Sequence, residues 1–335
     1  MKYKSPLFFG LLFLLPLLSA ATLSIGDTPW EIIWSSFQER LAGINSGWNP
    51  LLDERLPRVI VLICTGASLS VAGAVTQSIF QNPLASPSTL GISAGSNLCV
   101  LLGFIFGWHI SIPFALPIAA FLGSLTTLFL VYAFARHNGN FSTHNLILSG
   151  IALTTVILAI QRGLLYALRD NWSLIQTLTE WESGSTVDLS WSHVHMQAPL
   201  ALVGLLGCLS YSKELNLLAL GEEDACNLGV DVTAVQWHLF LCIAMLTGGA
   251  CSTIGNVPFF GFVLPHIMRK IIGPDNRQLI PYCALAGAIA LIALDLFLRL
   301  FHLHALSIGS LSAALGGSFF LFLLFVSPHS KRVLN

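Results

Sequence analysis

The chain has 335 residues and a formal net charge of -1 at pH 7; 55% of its residues are hydrophobic and 9% are charged. An ordinary soluble domain carries about 25% charged residues, so this composition cannot cover a soluble surface, and the mean hydropathy of +0.77 assigns most of the chain to lipid or to buried helix contacts. A charge near zero also excludes the overall basic field that nucleic-acid binding needs.

Ten apolar segments follow in chain order: Leu7 to Ile25, Val59 to Phe80, Gly91 to Ile110, Phe114 to Phe134, Asn145 to Leu168, Ala198 to Ser212, Val235 to Ala250, Pro258 to Ile272, Leu279 to Leu300 and Ile308 to Val326. At about 20 residues per span, these account for the chain as one transmembrane domain over 1–335, an all-α membrane protein of about ten helices. The first segment, with Lys2 and Lys4 ahead of it and a Leu18-Ser-Ala-Ala21 ending, also has the form of a cleaved signal peptide. It is counted as an uncleaved helix because the topology closes only with it. Several segments are short or interrupted at Pro83, Pro87, Pro258 and Pro265; such pieces are tolerated where they line a pathway, not where they face lipid. The runs from Val59 to Ile110 and from Val235 to Ile272 both pass from a small-residue helix into an Asn-Pro or Val-Pro break, the outline of an inverted repeat.

With both termini in the cytoplasm, Lys2, Lys4, Arg136, Lys213, Arg269, Lys270, Arg277, Lys331 and Arg332 fall on the cytoplasmic side, and Arg40, Arg55, Arg58, Arg162, Arg169 and Arg299 on the other. The excess follows the positive-inside bias. The longest exterior loops, 26–56 and 170–196, carry Trp30, Trp34, Trp48, Trp172, Trp181 and Trp191, read as an interfacial aromatic belt. The cytoplasmic loop 213–231 holds Glu214, Glu222, Glu223, Asp224 and Asp231 against the single Lys213. It is either a solvated loop or a surface for a soluble partner of complementary charge.

No GxxxxGK[ST] phosphate loop, HExxH, GxSxG or CxxC pair occurs, so no catalytic or nucleotide site is expected on this chain. The seven cysteines read as small buried hydrophobes. His193/His195 and His302/His304 alternate without a Cys or carboxylate partner, so no metal site is assigned to them. His266 is expected to pack, hydrogen-bonded, near a helix break. Asp295 and Arg299 stand at i and i+4 of one helix, where they can neutralise each other or act outward.

Three stretches go beyond composition. The first runs from Arg55-Leu-Pro-Arg58 through Gly66, Ala72 and Gly73 to Gln77, Asn82-Pro83-Leu-Ala-Ser-Pro87 and Gly91; the second is Leu215 to Val230 with Gly221-Glu-Glu223; the third runs from Phe259-Phe-Gly261-Phe-Val-Leu-Pro265-His266 through Asp275-Asn-Arg277 to Asp295, Arg299 and Ile308-Gly309. In this order, over nearly the whole chain, they resemble the FecCD family of ABC importer permeases, membrane subunits for iron(III)-siderophores, haem and cobalamin.

The resemblance implies a type II ABC importer permease architecture in the cytoplasmic (inner) membrane of a bacterium, paired with an identical or paralogous second permease. It also implies two ATP-binding-cassette ATPase subunits that use the ATP, a periplasmic or surface substrate-binding protein, and an iron-chelate cargo, with no cofactor on this chain. A haem or cobalamin importer of the same family is the near alternative, and an ion-coupled secondary carrier the distant one. By the family pattern Arg55, Arg58 and Arg299 meet carboxylates on the binding protein, the alternative being anchorage to headgroups. Glu222, Glu223, Ala225, Leu228 and Gly229 contact the ATPase, with Gly229 closing the helix. Gln77, Asn82, Pro83, Gly91, Gly261, Pro265 and His266 line the pathway or its helix breaks, with Ser86, Ser96, Asn97 and Gln161 as further polar candidates. The chain departs from the family pattern at Asn276-Arg277, usually His-Arg, and at Ser307-Ile-Gly309 and Gly316-Gly-Ser318, where prolines are usual.

Overall fold

A computed structural model describes residues 5–26, 28–43, 48–83, 85–108, 115–136, 143–303 and 306–326. Lys2, Lys4, His304, Lys331 and Arg332 lie outside them. Among the described residues the regular structure is entirely helical: α1 (Ser5–Ser24), α2 (Trp30–Leu41), α3 (Leu56–Ile79), α4 (Ile92–Ile105), α5 (Ala115–Arg136), α6 (Thr143–Ala167), α7 (Trp172–Glu182), α8 (Trp191–Ser210), α9 (Ser212–Leu218), α10 (Glu222–Asn227), α11 (Val232–Ile254), α12 (Phe260–Ile272), α13 (Asn276–Leu300) and α14 (Ile308–Val326). Each of the ten predicted segments coincides with one of these helices, and among the described residues seven helices are long and apolar enough to cross a membrane. The short helices α4 and α12 fall where the chain was read as interrupted, beside Pro83, Pro87 and Pro258.

Helix α3 stands at the centre, packed against α8, α11, α12 and α13 and buried over nearly its whole length. Lipid tails are as apolar as leucine, so such packing comes from close fit and not from water exclusion. Small residues supply the fit. Gly66 lies on the backbone of Gly287 in α13, and Gly73 on the backbone of Gly261 in α12. Gly95 of α4 meets Gly123 of α5 in the same way. A side chain at any of these contacts would occupy the space of the neighbouring backbone.

Two long helices run into matching breaks. After α3, Gln81 takes a left-handed turn (φ 48°), the chain passes Asn82-Pro83 and a single 3-10 turn (Pro87–Leu90), and Gly91 (φ 72°) opens α4. After α11, Gly255 (φ 85°) and Pro258 precede Phe259 (φ 64°), which opens α12. Glycine takes positive φ at no steric cost, whereas a phenylalanine there is strained by roughly 1–2 kcal/mol. At 13 and 14 residues, α12 and α4 are each about 20 Å long, short of a bilayer core of about 30 Å.

The two long segments expected on the exterior, 26–56 and 170–196, are not plain loops. Each contains a helix, α2 and α7, with one apolar residue buried (Ile33 in α2, Leu178 in α7). Trp30, Trp34, Trp48 and Trp172 remain exposed. Trp191 donates from Nε1 to the Leu52 carbonyl at 2.9 Å.

Replacing Gly73 by Val is expected to destabilise the fold by about 1–3 kcal/mol or more, since the new methyls meet Gly261 backbone. Gly317→Ala, at a position with open space around it, should leave thermal unfolding in detergent unchanged.

Candidate functional site

The end of the bundle carrying Arg55, Arg58 and Arg299 is organised by one carboxylate. Asp295, fully buried in α13, receives Arg58 at Oδ1 (Nη2 at 2.6 Å, Nε at 3.2 Å), Thr186 at the same oxygen (2.9 Å) and Arg299 Nε at Oδ2 (3.2 Å). Arg299 also donates to the Ile25 carbonyl, tying α1 to the cluster. Arg55 is 4% exposed, and its guanidinium donates to the carbonyls of Leu23 (2.9 Å) and Thr28 (3.2 Å). All three were expected to meet carboxylates of a binding protein, and the structure places each of them largely inside the bundle. Arg55 is an internal brace, while Arg58 and Arg299 are about one-sixth exposed and already ion-paired. Both still line a cleft of about 220 Å³ with Ile25, Gly26, Thr28, Glu54, Arg55 and His302. One Arg299 amino group, Nη2, is buried without a partner among the described residues. Among the described residues, three guanidiniums (Arg55, Arg58 and Arg299) and one carboxylate (Glu54) line the cleft, with Asp295 buried behind Arg58 and Arg299.

Between the two helix breaks lies a cavity of about 620 Å³. Its polar lining is Ser86, Ser88, Ser93, Asn97, Thr154, Thr247 and Asn256; its apolar lining includes Leu69, Leu158, Phe259, Phe262 and Phe320. Among the described residues no charged, Cys, His or Met side chain lines it. The starts of α4 and α12 both border it, and neither has a side-chain cap. Helix starts of this kind present backbone N–H groups and a partial positive charge.

The predicted pathway residues distribute unevenly around this cavity. Gly261 lines it directly. Gly91 sets the left-handed entry to α4, and Pro83 closes the run from α3. Gln77 is fully buried, donating to the Phe262 carbonyl at 3.2 Å, so it holds α12 to α3. The Asn82 backbone caps the end of α3 through a bond to the Gln77 carbonyl. Gln161 is likewise buried, donating to Ala94 at the start of α4. Pro265 is buried within α12. His266 packs edge-on to Phe319, and its Nε2 has no hydrogen-bond partner among the described residues, against the expectation of a hydrogen-bonded histidine. Phe259, which the sequence reading passed over, borders this cavity and an apolar groove with α13 and α14; its signal was the Pro258-Phe-Phe-Gly261 break. His193 accepts from the Ser190 backbone N–H within the capping box of α8. No cluster able to hold a metal ion occurs among the described residues.

At the opposite end, α9 and α10 form the acidic loop. Gly229 (φ 85°) closes α10 in a Schellman arrangement, its N–H on the Cys226 carbonyl and that of Val230 on Ala225. Glu223, Leu228 and Gly229 are exposed. Glu222 is half-buried and accepts from Gln236 at 3.0 Å. Ala225 is fully buried in the core of its own chain, which corrects its expected place on the partner surface.

The sequence profile of the FecCD transport family matches residues 11–326. The chain belongs to the FecCD transport family. It is 36% identical to the cobalamin import system permease protein BtuC of Halobacterium salinarum, over 89% of this chain and 80% of that one. It is 34% identical to the hemin transport system permease protein HmuU of Yersinia pestis, over 94% and 93%, and 33% identical to the Fe(3+) dicitrate transport system permease protein FecD of Escherichia coli, over 90% and 92%. A solved structure described as an inward-facing conformation of a metal-chelate type ABC transporter superposes with a TM-score of 0.82 at 27% identity, covering 97% of this chain and all of the other. The protein is a multi-pass membrane permease of the FecCD type of ABC importer, which sets aside the secondary-carrier reading.

Asp295→Ala is expected to cost about 3–5 kcal/mol, because it strands two largely buried guanidiniums. The triple change Arg58→Leu, Asp295→Leu and Arg299→Leu should recover part of that loss in a thermal melt in detergent.

Proposed function

We propose that this permease is one of two membrane subunits of an importer that carries an iron(III)-siderophore across the inner (cytoplasmic) membrane of a bacterium, with both termini in the cytoplasm. The observation that carries this reading is the cavity lining. A bare metal ion would need carboxylate, imidazole or thiolate ligands, and none lines the cavity among the described residues. A cargo whose metal is already enclosed by its own ligand needs only shape, hydrogen bonds and weak positive potential. Hydroxyl and amide side chains with two uncapped helix starts suit an outer surface rich in oxygen acceptors. Asn97 Oδ1 is buried there without a partner among the described residues. The relatives named for cobalamin and hemin make those cargoes the second reading.

In this scheme ATP is bound and hydrolysed by two separate ATPase subunits seated on the exposed face of α9 and α10, and this chain binds no cofactor. A substrate-binding protein delivers cargo at the arginine end, one of its carboxylates completing the hydrogen bonds of Arg58 and Arg299. The second permease, identical or paralogous, closes the other side of the cavity. The chain breaks no bonds in the cargo; it provides a path whose two ends open alternately as the ATPase pair closes and releases.

Uptake of radiolabelled ferric siderophore, haem and cobalamin by cells with and without this gene tests the cargo. Loss of ferric siderophore uptake alone, restored with the gene and abolished by ATP depletion, is expected; selective loss of haem or cobalamin uptake would reassign it. The triple variant Arg58→Leu, Asp295→Leu and Arg299→Leu, which strands none of the three charges, should slow binding-protein association and weaken its salt dependence.

A further inference from the structure

The acidic loop is joined to the rest of the bundle through a chain of side-chain hydrogen bonds centred on Asn216 in α9. Its Nδ2 donates to Asp275 Oδ1 at 2.6 Å, and its Oδ1 accepts from the Asn276 backbone N–H (2.8 Å) and from Asn276 Nδ2 (2.9 Å). Asp275 also caps α13 through the Arg277 N–H. From Asn276 the chain continues inward. Ser78 Oγ near the end of α3 lies 2.8 Å from Asn276 Oδ1 and 3.0 Å from the Ala74 carbonyl, and it accepts from Arg269 Nη2 of α12 at 3.1 Å. A second tie runs from Gln81 Nε2, just past α3, to the Leu218 carbonyl of α9 at 2.9 Å.

We infer that Asn216 is the positioning residue that transmits displacement of the α9–α10 loop to α3, α12 and α13. This rests on the proposed seating of an ATPase on that loop. Apolar contacts can slide past one another with little loss, whereas buried hydrogen bonds fix register because a broken one leaves an unpaired group in a low-dielectric interior. Asn276 is 1% exposed and Ser78 3% exposed, so the inner links are closed to water, while Asn216 and Asp275 are half-buried where the loop joins the bundle. The three helices it reaches are those that meet at Gly66, Gly73, Gly261 and Gly287, and α12 begins at the cavity. A push on α9 is therefore delivered to the far ends of α3 and α12, which border the cavity, and to α13 packed against them. Leu215 and Leu218 anchor α9 in the core independently of Asn216, so the loop stays seated when the polar link is cut.

The test uses the full complex of permease, ATPase and binding protein in liposomes, reading ATP hydrolysis and ferric siderophore uptake together. Asn216→Leu is expected to keep ATPase assembly and hydrolysis while uptake per ATP falls by about fivefold or more; a folding defect would lower both in proportion. Asn216→Asp sets a carboxylate against Asp275 and should uncouple likewise. Adding Asp275→Asn to it exchanges donor and acceptor and should restore uptake per ATP. Ser318→Ala, whose hydroxyl bonds only within α14, serves as the unaffected control. Normal uptake per ATP in Asn216→Leu, loss of ATPase assembly in that variant, or failure of the exchange to rescue would overturn the inference. Failure of the unmodified complex to couple uptake to ATP would instead overturn the importer reading on which it rests.

Discussion

In a bilayer, water does not press helices together, so the arrangement around α3 depends on backbone surfaces that fit each other. Gly66 against Gly287 and Gly73 against Gly261 bring three helices to backbone contact. That approach fixes where everything else stands. Asp295 sits two turns beyond Gly287 on α13 and so reaches Arg58 at the start of α3. Ser78, beyond Gly73, meets Arg269 of α12 and Asn276 of α13 at the other end of the same contact. The polar clusters at the two ends are thus set by the same pair of glycine crossings.

The middle of the bundle is built on the opposite logic. Where α4 and α12 begin, the chain gives up helical hydrogen bonds, which a lipid-facing segment cannot do. Side chains from neighbouring helices tie these starts in place: Gln77 donates to the Phe262 carbonyl and Gln161 to the Ala94 carbonyl. These two glutamines read from sequence as pathway contacts for cargo. In the structure they hold the starts of the two short helices against their neighbours beside the cavity, and the hydroxyls and amides that line it are others.

Much of this fold was legible in the sequence because hydropathy over some 20 residues is a strong local signal. The ten spans were read that way, and so were the breaks at Asn82-Pro83 and Pro258. Helices α2 and α7 were not, since 12 and 11 residues of mixed polarity show no long apolar run. The site was less legible for a different reason. Arg58 and Asp295 are 237 positions apart, and nothing local marks Arg55 as a buried brace rather than a rim charge. Asp295–Arg299 was readable as a pair because i and i+4 is a local relation. Asn216, Asp275 and Asn276 each look like ordinary loop polars, and only their meeting in space gives them a role.

The closure of Arg58 and Arg299 on one buried carboxylate makes that end of the bundle insensitive to its medium. Mobile ions screen exposed charges over about 8 Å at physiological ionic strength, but they do not enter between groups 2.6 and 3.2 Å apart whose carboxylate is fully buried. The join between α3 and α13 therefore keeps its register over a wide range of salt.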